Sequence, residues 1–394
     1  MGWRTQVALL ASLVLLREMR PAASAKGVQQ PDAAMVSALC TEIAAKAKFF
    51  TPEQTAETLR SFAKMEKKLE SRAVAALSGR VMSNTAAFPA QLASVVLWSV
   101  ARMQLTRELG LVHGLILQLR RTVADLPPPA FGTVLWSVHT LGLKEVAAPL
   151  LAATITAVEP VLPRFRAADL AALVHGYALL LLRPPKSHLV AIQARLAVEM
   201  ADLSAEGLAD LACGLAMLGV APEQRVRDAL ATRTKAVLPS MTPAQMGAVA
   251  GALAQLGLAL EQAVPPSMAR AALARAEELE PPALRGLLQA HGAFRVRPDA
   301  ALFDALRARC RARAEAFALP DADATLRAFT LIGLEPETDC RELFAARARL
   351  AAAEGRAARL GSVAGRAASL EGRATGAGAG AGAGVAQRTS SLEP

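Results

Sequence analysis

Apolar residues in this chain recur at intervals of three and four, in blocks set apart by Pro-, Thr- or Gly-marked breaks, which is the pattern of helices that bury one face. The blocks are copies of one another. VLWSVARM at 96–103 returns as VLWSVHTL at 134–141, with Trp98 and Trp136 in equivalent places. Five places after each Trp stand Met103 and Leu141, and the same position recurs at Met65, Leu180, Leu218, Leu256, Phe294 and Ile332. Neighbouring markers are 38 residues apart, except for 39 between Leu141 and Leu180. A chance run of Leu-rich helices would not hold that register over so many copies.

Other columns carry consistent chemistry. Three places before the marker stand Phe62, Val100, Val138, Tyr177, Leu215, Leu253, His291 and Phe329. Four places before it stand Ser61, Ser99, Ser137, Gly176, Gly214, Ala252, Ala290 and Ala328, a small column that lets a neighbouring backbone approach. One place after it, Gly142, Gly219, Gly257 and Gly333 mark helix ends that need a left-handed residue. Thr51-Pro52-Glu53-Gln54 and Thr242-Pro243-Ala244-Gln245 read as an N-cap, a first-turn Pro and a capping-box Gln. Pro127, Pro128 and Pro129, the pair Pro281 and Pro282, and Pro320 punctuate the same junction elsewhere. A second helix follows each stop, for example over 145–158, 222–237 and 298–317.

These units predict an all-α fold: a right-handed superhelical α-solenoid of about eight helix-pair repeats, each roughly 38 residues long, whose neighbours bury one another's faces. The expected organisation is a targeting leader over 1–30, the solenoid over 31–354, and a disordered Arg/Gly/Ala-rich tail over 355–394. The 236–260 stretch has no charge, but Pro239 and Pro243 interrupt it and it coincides with a repeat helix, so no membrane span is expected.

Composition agrees. Apolar residues are 53% of the chain and aromatics only 4%, with the excess in Ala and Leu, which favour helix over strand. The net charge of +10 makes a polyanion or an acidic membrane surface a suitable partner. Half of that excess lies in 345–388, where seven Arg face only Glu354 and Glu371. Cys40, Cys213, Cys310 and Cys340 lack CxxC spacing and read as small buried thiols rather than a disulfide framework or a zinc site. At the N-terminus, Arg4, the apolar run 7–16 and the small residues at 22–25 have the shape of a secretory signal. Arg17, Glu18 and Arg20 fit an organelle presequence better, and a two-step plastid leader would reconcile both features.

PPPAFGTVLWSVHTLGL at 127–143 and FPAQLASVVLWSVARMQL at 88–105 resemble octatricopeptide repeats, a helical-repeat family related to the arrays of RAP-domain and FAST-kinase-like proteins. The resemblance extends over roughly residues 50–352, without a recognisable RAP domain. It implies an organelle RNA-binding protein, carrying a transit peptide and acting in RNA processing, stability or translation, alone or within a ribonucleoprotein. The implied location is the mitochondrion, with the plastid as alternative. The implied partners are single-stranded or ribosomal RNA and organelle ribosome proteins.

Candidate chemistry is that of binding. His113, His139, His175, His188 and His291 form no i, i+4 pair and stand beside no Cys or carboxylate cluster, and His175 and His291 read as core histidines. With no nucleophile-elbow, Walker or HExxH motif, no enzyme, cofactor, metal or small-molecule substrate is expected. The column five places before the marker reads Arg60, Trp98, Trp136, His175, Cys213, Gly251, Gln289 and Arg327. Four places on come Lys64, Arg102, Thr140, Leu179, Met217, Gln255, Ala293 and Leu331. Arg60, Lys64, Trp98, Arg102, Trp136, His175, Gln289 and Arg327 are the expected RNA-binding residues, because such side chains stack on bases or bond to their edges. Packing between units is the competing role for the two Trp, and a solvated face that for Arg60, Lys64 and Arg102. Arg120, Arg121, Arg225, Arg227, Arg307, Arg309, Arg311 and Arg313 would add phosphate contacts, though not all from one groove. The bland centre of the column, at Cys213, Gly251 and Met217, favours modest or shape-based RNA contact or a place inside a larger ribonucleoprotein such as an organelle ribosome; the apolar, Ala-rich centre of the groove also suits a protein-binding scaffold without direct RNA contact, and the Arg-rich tail suits a membrane surface.

Overall fold

The structure is a computed structural model that describes residues 33–67, 69–258, 264–294, 298–332 and 342. Among these residues it holds sixteen α-helices and no strand. In chain order they begin with α1 (Ala33–Lys46), α2 (Pro52–Met65), α3 (Ser71–Ser83), α4 (Ala90–Arg102) and α5 (Leu109–Thr122). Next come α6 (Pro128–Thr140), α7 (Ala148–Val161), α8 (Ala167–Leu179), α9 (Lys186–Glu199), α10 (Ala205–Leu218) and α11 (Gln224–Val237). The last are α12 (Pro243–Gln255), α13 (Val264–Ala274), α14 (Pro281–Phe294), α15 (Ala300–Ala312) and α16 (Leu319–Ile332). Each even-numbered helix packs on the even-numbered helices before and after it. Odd-numbered helices meet more sparsely, directly or through the short turn that follows each of them, so the chain forms two layers. No described helix is long and apolar enough to cross a membrane, and α12 occupies the uncharged stretch as expected. The expected leader and tail, Gly333 and Cys340 lie outside the described residues.

Local chemistry explains where these helices begin and end. At α2 the Thr51 N–H donates to Gln54 Oε1 (2.9 Å) while the Gln54 N–H donates to Thr51 Oγ1 (3.3 Å). At α12, Thr242 and Gln245 make the same reciprocal pair at 2.8 and 3.2 Å. Both predicted capping boxes are therefore present. The helix stop is more general than its glycines. Gly142, Gly219 and Gly257 have φ near +65°, and Glu66, Gln104 and Leu181 adopt φ of 52–54° at the equivalent place in three further units. In all six, this residue donates back three positions and the next one five, as in Leu181 to Ala178 (3.0 Å) and Leu182 to Tyr177 (2.8 Å). A side chain held in this region costs about 1–2 kcal/mol, more than glycine loses through its freer unfolded chain. Leu181 is also 70% exposed, so Leu181→Gly should raise stability by about 1 kcal/mol, seen as a higher urea midpoint at unchanged slope.

The linker from each odd helix to the next even one is also a repeated part. A single 3-10 turn follows every odd helix, starting at Ala47, Thr85, Val123, Leu162, Met200, Leu238, Ala276 and Ala314, with the marker's own spacing. An extended residue comes next: Phe50, Phe88, Leu126, Phe165, Leu203, Met241, Leu279 or Phe317, each buried between the layers. Its carbonyl would be left unbonded there, because the turn has broken the helical ladder. For six of these eight carbonyls the following odd helix, or the residue just after it, supplies the donor. Arg80 Nε bonds Phe50 O (2.7 Å), Gln118 Nε2 bonds Phe88 O (3.0 Å), and Arg195 bonds Phe165 O (3.2 Å). Arg233 Nε bonds Leu203 O (2.5 Å) and Arg309 Nε bonds Leu279 O (2.8 Å). These donors sit 30 residues after their acceptors, while Arg275, one turn farther along, serves Met241 O (2.7 Å). Each is a charge-assisted or amide bond tying one unit to the next. The extra residue in the 39-residue step lies in the turn after α6, since Thr140 to Ala148 is one residue longer than Arg102 to Leu109 or Leu179 to Lys186.

The even layer is packed closely through the small column. Ser61, Ser99, Ser137, Gly176, Gly214, Ala252 and Ala328 are buried, and a Cβ at Gly214 would meet the His175 backbone nitrogen at 2.9 Å. The adjacent apolar column is buried too, except that His291 is half-buried. Cys40 and Cys310 are fully buried and Cys213 is half-buried. Tyr177, the only tyrosine of the chain, is fully buried with its hydroxyl bonded to no described residue. Burial raises its ionisation above the ordinary value near 10. Because the folded pKa is the higher one, this group favours folding below about pH 10 and loses that contribution as the unfolded chain ionises above it. Tyr177→Phe should flatten the alkaline fall in stability and gain about 1 kcal/mol at neutral pH by removing an unbonded buried hydroxyl. Urea titrations on both proteins at neutral and alkaline pH check this.

Candidate nucleic-acid interface

The even helices turn one face inward, through the columns three and four places before the marker, and the columns five places and one place before it outward. All eight predicted residues therefore share one open surface of the even layer, spread from α2 to α16. Arg60 and Arg102 are exposed, and Lys64 is partly buried one turn beyond Arg60. Trp98 on α4 and Trp136 on α6 are half-buried in equivalent places, with part of each indole open to solvent. His175 on α8 is 25% exposed and Gln289 on α14 is partly buried, whereas Arg327 on α16 is 70% exposed. Gly251 in the same column is buried.

The structure adds a set of carboxylates. Arg60 lies 3.5 Å from Glu57, Arg102 lies 2.6 Å from Glu66, and Arg327 lies 2.7 Å from Asp323. His175 Nδ1 is 3.1 Å from Asp210 Oδ1. These acids lower the local positive charge of the face. Pairs this exposed hold together by at most about 1 kcal/mol, so a phosphate competes readily for the cation. Glu66 stands 36 residues before its Arg102 partner, a cross-unit pair that the 38-residue register could have revealed.

The odd-layer arginines have other duties. Arg309 holds the Leu279 carbonyl and reaches Glu280, and Arg313 also pairs with Glu280. Arg307 pairs with Asp304 at 3.4 Å and lies over the Phe303 ring, and Arg227 Nε bonds Pro222 O at 2.9 Å. Arg309 and Arg313 therefore join neighbouring units through their guanidinium groups, a role that the sequence reading did not give them. Arg120, Arg121, Arg225 and Arg311 are exposed, but on the other layer from the Trp-bearing face.

The histidine reading is corrected in part. His175 is satisfied by Asp210 at the edge of the open face and His291 is half-buried, so neither is a core residue. The buried histidine is His188 on α9, 3% exposed, with Nε2 3.6 Å from Glu159. Cys213 stands one turn from Asp210, and burial raises its thiol pKa, Asp210 adding to the effect and Arg285 opposing it. A thiol held protonated this way is a poor nucleophile. Among the described residues no three His, Cys, Asp or Glu side chains gather in a metal-binding group.

The face changes character along its length. Near α12, α14 and α16 it opens into a groove of about 250 Å³, lined by Gly251, Ala254, Gln255, Gln289, Ala293, Ala324, Arg327, Ala328 and Leu331. Sequence reasoning placed several of these in one column but did not anticipate a cavity, which requires the adjacent unit's Ala324 and Ala328 as its far wall. An all-α, two-layered assembly of register-matched helices with one open, aromatic- and Arg-bearing face is the class that fold and surface define. In comparisons with known proteins, no family model and no curated protein sequence matches this chain.

Proposed function

We propose that the chain is a right-handed superhelical α-solenoid of the octatricopeptide-repeat kind that binds single-stranded or ribosomal RNA in an organelle. The mitochondrion is the proposed location and the plastid the alternative. It would act in RNA processing, stability or translation, alone or on an organelle ribosome. The observation that carries this reading is the shared register of Arg60, Lys64, Trp98, Arg102 and Trp136, which sets cations and part-open indoles along one face of three consecutive even helices. Indoles stack on bases without regard to sequence, and cations follow the phosphates. The partnered state of Arg60 and Arg102 implies moderate rather than tight binding.

Fluorescence anisotropy with a labelled single-stranded RNA over a salt series tests it. The affinity should fall with a clear negative slope of log K against log salt, and Trp98→Ala with Trp136→Ala should weaken binding by about tenfold or more. No measurable binding at low salt would refute the proposal. Fusing residues 1–30 to a fluorescent protein tests the organelle assignment, and a diffuse signal would count against it.

One observation favours a protein partner as a second reading. Leu109, Leu117, Val146, Val190 and Val198, on or beside the odd helices α5, α7 and α9, are 41–76% exposed. Crosslinking in organelle extract followed by nuclease treatment separates the readings, since partners that survive nuclease support a scaffold.

A further inference from the structure

We propose that the groove between α12, α14 and α16 receives a single unstacked purine base of the bound strand. This inference deepens, and rests on, the RNA-binding reading. The register supplies the first argument. In α4 and α6 the column five places before the marker holds Trp98 and Trp136, and in α12 and α14 it holds Gly251 and Gln289. Where the earlier units place indoles, the later ones leave a groove of about 250 Å³, and Ala293, Ala324 and Ala328 keep its walls low. Flat aromatic matter belongs at this position of the face. In the first units the protein supplies it, and here a ligand would.

The polar groups supply the second argument. Gln255 and Gln289 both line the groove, and neither carboxamide makes a hydrogen bond to another described residue. A carboxamide offers coplanar donors and an acceptor, which match the adjacent donor and acceptor along a base edge. An aliphatic side chain in the same place would leave both amides without partners as water leaves, at a cost that a base avoids. Arg327 stands at the rim with its guanidinium largely in solvent, where it can turn from Asp323 to the base face or the adjoining phosphate. A purine fills more of the groove and offers a larger stacking face than a pyrimidine.

The groove is also firmly based. Gly247 and Gly286, one turn before the groove residues Gly251 and Gln289, bring the α12 and α14 backbones together, and the Gly251 Cβ site lies 3.2 Å from Gly286 Cα, so this wall is set before any ligand arrives.

The test compares the full chain's affinity for labelled oligouridine and for the same strand with one internal adenosine, by anisotropy at one salt concentration. The wild type should prefer the adenosine strand by about tenfold, the scale of one base stacked on a protein surface. Ala293→Trp places an indole in the groove from an exposed position, and Gln289→Leu keeps the bulk while removing the amide. Each should bring the ratio of the two affinities close to one, whatever it does to oligouridine binding itself, and Trp98→Ala should weaken both strands and leave the ratio intact. Circular dichroism confirms that the variants are folded. A wild type without preference, or variants that retain it, overturns the purine site while leaving RNA binding standing. Failure to bind either strand overturns both.

Discussion

Gly286→Ala should cost about 3 kcal/mol or more, an unusual loss for the addition of one methyl group. A Cβ at Gly286 would overlap the carbonyl oxygen of Gly247 and stand 2.6 Å from its carbonyl carbon. From the other side, a Cβ at Gly247 would meet Ala283 O at 2.6 Å. Both obstacles are backbone, so no side chain can swing aside, and α12 and α14 must separate along their length. Gly79 on α3 is the control. It has nothing within 4 Å of its Cβ site, so Gly79→Ala should be neutral or stabilise by about 0.5–1 kcal/mol through helix propensity alone. Denaturant unfolding of the two variants gives the comparison, and similar effects would contradict the close approach.

Phe165→Ala should be as damaging, at about 3–5 kcal/mol. Phe165 is fully buried, 5.8 Å from the Phe131 ring, at the joint between α7 and α8 where its carbonyl receives the Arg195 bond. Truncation leaves a cavity where two units and both layers meet. Phe49 is 68% exposed in the first 3-10 turn and gives the contrast, since Phe49→Ala should change stability by no more than about 0.5 kcal/mol. Phe49 stands beside Phe50, which is 2% exposed and belongs to the same buried column as Phe165.

Much of this was legible in the residues because the unit is repeated. A column seen eight times averages away the noise of any one copy, so the marker, the small column and the capping boxes at Thr51 and Thr242 could be read directly. Three things could not. Glu66, Gln104 and Leu181 adopt the left-handed helix stop without being glycine, and only their place one residue after the marker announces it. The buried column at Phe50, Phe88 and Phe165 repeats with the same spacing, yet its members sit outside the regular helices, where periodicity arguments do not look. The arginines are hardest. A guanidinium that binds a phosphate and one that holds a carbonyl look alike on a helix; the distinguishing sign was that Arg195 and Arg233 lie one unit apart, opposite a broken turn. The candidate face was legible as a column, but its charge was not, because Glu57, Glu66, Asp210 and Asp323 become partners only when the helices pack.

Both large effects assume that the two layers run from the first helix to the last as one body with a 38-residue period. Peptide-resolved hydrogen exchange of the native protein tests that most directly. Slow exchange should recur once per unit in the even helices α2 to α16, be strongest in the central units, and decline gradually towards both ends. A sharp boundary between two blocks of unrelated stability, or protection without that recurrence, would contradict it.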